Sequence, residues 1–129
     1  MLGHVVLREH ERALDLLGGD TELDRGDRWR AALLRGRALQ RLGRSAESLS
    51  SFQEAARLAP DRPEPVIGAA RSLEELSRFE EARDLVLAAL RGAPDDIDLL
   101  ELGVRLSERS GQGRRARRLQ KRLHRRVPA

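Results

Sequence analysis

Residues 43–60 read GRSAESLSSFQEAARLAP, residues 77–94 read SRFEEARDLVLAALRGAP, and residues 111–128 read GQGRRARRLQKRLHRRVP. The three stretches share one frame, each 34 residues after the last. Gly43, Ser77 and Gly111 open them; Pro60, Pro94 and Pro128 close them. Between those marks Ser48, Ala82 and Ala116 share a column, as do Phe52, Val86 and Gln120, and Ala55, Ala89 and Leu123. A sixth column, Gly36, Ala70 and Val104, keeps the same register just upstream. A period of this size signals one supersecondary unit repeated and stacked, because such a unit cannot bury its apolar face alone.

Each column has a physical role. Ala, Leu, Arg and Glu, which fill the stretches, are strong helix formers. The closing prolines cannot continue a helix and stop it. The opening glycines end the preceding helix without strain. Small residues in the Gly36/Ala70 and Ser48/Ala82/Ala116 columns let helix axes come within about 8–10 Å. The spacing predicts helix pairs over about 28–42 with 45–58, 63–76 with 78–91, and 96–109 with 113–126, with ends uncertain by a few residues. Ser77 with Glu80 and Asp61 with Glu64 fit capping boxes, and Pro63 suits a first helical turn.

Upstream, about residues 3–17 read as one more helix and 18–26 as a Gly- and Asp-rich connection. Ala13, within Glu11-Arg12-Ala13-Leu14, takes the small-residue place of a second helix. It stands 35 residues before Ser48, one more than the period. The segment is therefore expected to be a lone capping helix or, second, the remaining helix of a unit in a longer repeat array.

Composition agrees with an all-α chain. Aromatic residues are 2% of the 129, against the aromatic and β-branched enrichment of sheet proteins. Charged residues reach 36%, so the apolar stripes must be narrow and most helix faces wet. There is no cysteine, which excludes disulfides and thiolate metal sites. No apolar run approaches the roughly 20 residues of a membrane span. The opening MLGHVVLREH becomes charged too soon for a secretory signal, so a cytoplasmic location is expected.

The pattern resembles the tetratricopeptide repeat family over about residues 29–129. The unit 29–62 fits best, with Gly36, Leu39, Gly43, Phe52, Ala55 and Pro60 in the family's places after Trp29. The unit 63–96 follows through Ala70, Leu73, Ala82, Ala89 and Pro94. The unit 97–129 departs: Val104 replaces a small residue, Gln120 an aromatic, and Gly103 a leucine. Arg35 also stands in a normally apolar column. The resemblance implies a single domain: a right-handed superhelical stack of about three helix-turn-helix repeats plus an N-terminal helix and connection (1–28). It also implies a non-catalytic adaptor or scaffold that grips a protein segment in a concave groove.

Carried onto this chain, the family's groove columns fall on Arg30, Leu33, Arg37, Gln40 and Arg41 in the first unit. In the second they fall on Glu64, Ile67, Arg71, Glu74 and Glu75, and in the third on Asp98, Glu101, Arg105, Glu108 and Arg109. Arg37, Arg71 and Arg105 recur every 34 residues, and guanidinium groups can hold carboxylates in bidentate pairs. The residues expected to bind a partner are Arg30, Arg37, Arg41, Arg71, Glu74, Arg105 and Arg109, and the partner an acidic or mixed-charge protein segment. Against this, the arginines can pair with groove acids such as Glu74, Glu75 and Glu108. Some family members clamp the acidic tails of heat-shock chaperones with Lys and Asn. Here those columns hold Leu33, Arg37, Gly68, Asp98 and Leu102, which argues against that ligand.

Charge supplies a second candidate surface. Of the 25 basic residues, eight lie between positions 114 and 126: Arg114, Arg115, Arg117, Arg118, Lys121, Arg122, Arg125 and Arg126. No acid interrupts them, while the rest of the chain holds 17 basic residues against 21 acidic. Ala116, Leu119, Leu123 and Val127 recur at helical spacing and should face the preceding helix. The basic face offers contact with an acidic protein patch or, second, with nucleic acid or an anionic surface. It also reads as a solvated end cap. Without aromatics it lacks stacking platforms for bases. A third reading is a structural subunit that oligomerises through the open ends of the stack.

Other residues read as structural. Trp29 is expected to pack near Leu14 and Leu17. His4, His10 and His124 are spaced as surface residues, His4 and His10 being six apart and not on one helix face. Glu80/Glu81 and Asp95/Asp96 fall at helix starts, where negative charge is favourable. No phosphate-loop or nucleophile-elbow string occurs, and neither cofactor nor metal is expected.

Overall fold

The computed structural model describes residues 25–126. Its helices are α1 (Arg25–Arg41), α2 (Ser45–Leu58), α3 (Pro63–Glu75), α4 (Phe79–Gly92), α5 (Ile97–Arg109) and α6 (Gly113–Arg126). Each packs against its neighbour in sequence; α1 also touches α3, and α3 touches α5. The result is a stack of three antiparallel hairpins. The expected pairs are all present, with ends moved by up to three residues. Arg25 and Gly26 extend α1 rather than the connection. The expected helix over 3–17, with His4, His10, Leu14 and Leu17, lies outside the described residues, as do Val127 and Pro128.

The hairpin turns explain the 34-residue columns. After α1 the Arg44 amide donates to the Leu39 carbonyl at 2.9 Å and the Gly43 amide to Gln40 at 3.1 Å. After α3 the Arg78 amide reaches Leu73 at 2.8 Å and the Ser77 amide Glu74 at 2.9 Å. After α5 the Gln112 amide reaches Ser107 at 2.7 Å and the Gly111 amide Glu108 at 3.2 Å. This is the Schellman pattern three times over, and it needs a left-handed residue after the helix. Gly43, Ser77 and Gly111 supply it at φ 78°, 61° and 77°.

That geometry overturns the capping boxes. Ser77 closes α3 instead of opening α4, whose N-cap is Arg78 with no side-chain hydrogen bond. The N-cap of α3 is Arg62, not Asp61, and it too makes no side-chain cap. Between hairpins, the Arg62 amide donates to Ala59 at 3.1 Å and the Asp96 amide to Ala93 at 3.2 Å. Each is a four-residue turn with proline second, where its fixed φ belongs. A side-chain cap does form at Asp96, which accepts from the Leu99 amide at 3.0 Å.

The core runs along the stack. Ala55, Ala70 and Ala82 are fully buried where helices cross, with Val86, Leu99, Leu100 and Leu106 between them. Ala89 is half-buried against the same cluster. The Phe52 ring, 1% exposed, lies between Gly36 of α1 and Gly68 of α3 and fills the space where either would carry a side chain. In the third unit Gly103 makes room for Leu119, whose Cδ1 lies 3.0 Å from where a Cβ would stand. The missing leucine there is thus replaced by one from the facing helix. Ser48 and Ser72, both buried, share a 2.7 Å hydrogen bond across α2 and α3.

Candidate functional site

The first helices of the units, α1, α3 and α5, border a recess of about 440 Å³. Phe52, Ile67 and Gly68 line it, and Gly68 is what lets the Phe52 ring reach this far. Around them stand Arg37, Gln40 and Arg41 from α1, Glu64 and Arg71 from α3, and Asp98 from α5. The periodicity puts them there: Arg37 and Arg71 occupy one column, and Glu64 and Asp98 another, 34 residues apart in each case.

Pairing divides the arginine row. Arg105 forks onto Glu74, Nε donating to Oε2 at 2.8 Å and Nη2 to Oε1 at 2.7 Å. Arg109 adds a contact to the same carboxylate at 3.4 Å. Glu75 accepts instead from the Ser45 hydroxyl at 2.6 Å. Arg37 and Arg71 are exposed and make no ion pair among the described residues. One carboxylate oxygen of Glu64 is buried without a hydrogen-bond partner among them.

The seven expected partner-binding residues therefore do not form one site. Arg37, Arg41 and Arg71 share the recess. Arg30 instead stacks on the neighbouring Trp29 ring at 5.6 Å, and Arg109 lies over Phe79 at 5.4 Å. Glu74 and Arg105 satisfy each other beside the recess. Leu33, in a groove column by the resemblance, is only 6% exposed and belongs to the core. Sequence reasoning missed the part that Phe52 and Gly68 play in the recess. A glycine inside a helix was the available signal, since it often marks a close approach by a neighbour.

The basic helix also divides. Ala116 and Leu119 are buried and Leu123 is half-buried, so α6 packs by its apolar stripe as expected. Arg122 donates through Nη2 to the Pro94 carbonyl at 2.6 Å, and Arg126 pairs with Asp95. Those two arginines clip α6 to the turn between the second and third units. The hydrogen bond from Arg126, then the charges of Arg126 and Arg122, hold the Asp95 carboxyl below its ordinary range. Arg115 bonds Gln112 within its own turn, and Arg125 is exposed. Arg114, Arg117, Arg118 and Lys121 line a surface recess of about 420 Å³ on the outer side.

Trp29 is half-buried, packs against the core, and carries Arg62 over its ring at 5.5 Å. His124 is exposed. Among the described residues no group of three or more His, Cys, Asp or Glu could hold a metal ion. No helix among them is long and apolar enough to cross a membrane.

Comparison with solved structures returns the same architecture. A MamA mutant shares 18% identity at a TM-score of 0.70, over 93% of this chain and 65% of that one. MamA AMB-1 shares 18% identity at a TM-score of 0.70, over 92% of this chain and 61% of that one. The chain thus spans less than two thirds of either structure, and at that identity the similarity speaks for the fold alone. No curated protein matches the chain. The family model described as Tetratricopeptide repeat matches residues 4–63 and 33–97, and with six helices stacked in sequence order, the chain belongs to the tetratricopeptide repeat family.

Proposed function

We propose that the protein is a binding module that holds an acidic or mixed-charge protein segment in the recess bordered by α1, α3 and α5. The family supports a role as a protein-interaction scaffold in general. The observation that carries the finer reading is the division of the arginine row. Arg105 is neutralised by Glu74, whereas Arg37 and Arg71 border the recess and make no ion pair among the described residues. Exposed guanidinium groups beside an aromatic and an aliphatic side chain suit a segment that brings its own carboxylate and an apolar side chain. Glu64 and Asp98 at the rim favour a segment that also carries a donor.

The test is a panel of short labelled peptides of graded acidic, mixed and basic content, titrated against the whole chain. Acidic and mixed peptides should bind. Replacing Arg37 and Arg71 together by Ala should abolish capture while the helical circular dichroism persists, and Arg105→Ala should leave capture in place. Equal binding by the double variant, or a preference for basic peptides, would reject the recess as the site.

A further inference from the structure

We infer that the outer face of α6 is a phosphate-binding strip, formed by Arg114, Arg117, Arg118 and Lys121, that takes the backbone of a nucleic acid without reading its sequence. It is a surface separate from the peptide recess and does not rest on that proposal.

Four observations carry it. First, the strip is distinct from the structural part of the basic run: Arg122 and Arg126 are engaged with Pro94 and Asp95, and Arg115 with Gln112. The side chains of the four strip residues make no hydrogen bond or ion pair among the described residues and surround one recess. Second, the repeat does not require them. The residues 34 positions earlier are Glu80, Arg83, Asp84 and Leu87, a mixed face.

Third, the strip works against its own helix. Helices α1 to α5 each carry an acid in the first turn, at the positive end of the macrodipole, whereas α6 carries none. Arg114 stands in that place instead. Like charges at i, i+3 and i, i+4 along Arg114, Arg117, Arg118 and Lys121 repel. A solvated cap needs no such concentration; a polyanion relieves it.

Fourth, the face lacks what the competing partners need. It presents no aromatic or bulky apolar side chain to anchor a protein interface or to enter a lipid surface. Phosphate contacts need no such anchor, because release of condensed counterions drives the binding. Three of the four cations are arginines, whose planar fork matches phosphate oxygens. With no base-reading motif or stacking ring on the helix, the contact is blind to sequence.

The experiment is a fluorescence-anisotropy titration of the full chain with a labelled mixed-sequence DNA duplex at two salt concentrations. Four phosphate contacts predict that log affinity falls with log salt at a slope of about −3.6, or roughly 150-fold between about 50 and 200 mM salt. Replacing the four strip residues together by Gln should remove binding, with the helical circular dichroism retained or increased. Arg122→Gln with Arg126→Gln should lower thermal stability and leave most of the affinity. Absence of binding at low salt, a salt slope near zero, or wild-type affinity in the strip variant would overturn the inference. So would polyglutamate binding as tight as that of DNA and lost in the strip variant, which would assign the strip to acidic proteins, or binding to phosphatidylserine vesicles in preference to DNA.

Discussion

The Phe52 ring stands where a side chain on Gly68 would begin, its Cδ1 and Cζ 2.5 and 2.6 Å from the position of an added Cβ. The ring is 1% exposed and is held between two helices of different units, with Gly36 against it as well. Gly68→Ala should therefore destabilise the chain by about 1–3 kcal/mol through overpacking, read as a lower urea midpoint. In a Phe52→Leu background the same substitution should cost less, since the two positions compete for one volume. Additive losses would show that the ring and the glycine do not interact.

Ser77 is the position at which a substitution should help. It holds φ 61° in the column where Gly43 and Gly111 hold 78° and 77°. A left-handed conformation costs an L-residue about 1–2 kcal/mol, part of which glycine gives back in unfolded-chain entropy. Ser77→Gly should stabilise by about 0.5–1 kcal/mol, a rise of a few degrees in a thermal scan for a domain of this size, roughly 2–6 °C. Gly111→Ala should do the opposite. A lower midpoint for Ser77→Gly would mean that the serine side chain contributes something its geometry does not reveal.

Two buried serines should respond differently to loss of their hydroxyls. Ser72 shares a 2.7 Å bond with Ser48 and lies 3.4 Å from the Gln40 amide nitrogen. The Ser107 hydroxyl is buried with no partner among the described residues. Ser72→Ala should cost about 1 kcal/mol, whereas Ser107→Ala should be neutral or stabilising because it removes an unsatisfied polar atom. Denaturant titration of the two variants side by side checks the contrast, and a larger loss at Ser107 would contradict it.

The clip between Arg126 and Asp95 sets a pH dependence. Because the folded chain holds the Asp95 pKa below its ordinary 3.8, the clip's contribution is complete above that ordinary value. It is lost as pH falls through the depressed one. The difference in thermal midpoint between wild type and Asp95→Asn should thus be constant near neutrality and shrink in acid. A difference that widens on acidification would show that the pair does not stabilise the fold.

Much of the fold was legible because it is periodic. Pro60 and Pro94 mark the turns between units, and Gly43 and Gly111 mark the turns within them, through backbone rules that act locally. Ser77 misled the capping argument for the same reason that the column mattered: its place in the frame, not its side chain, decided its conformation. The recess was half legible. The frame placed Arg37 and Arg71 on one face, but only three-dimensional packing sets Glu74 beside Arg105 rather than Arg71. Leu33 likewise moved from groove to core once neighbouring helices closed over it. The division of the basic run into clip and strip depends on where the Pro94–Asp95 turn lies against α6, which no local pattern encodes.

The contact between α1 and α3, and between α3 and α5, is much thinner than that between helices adjacent in sequence. The hairpins and the seams between them should therefore be the stiff part of the stack, and the side formed by the first helices the more compliant. In the proposed binding mode, a guest bulkier than the resting gap should spread the first helices apart like leaves of a spring, at little energetic penalty. Shape selectivity should accordingly be loose, leaving charge to discriminate among guests.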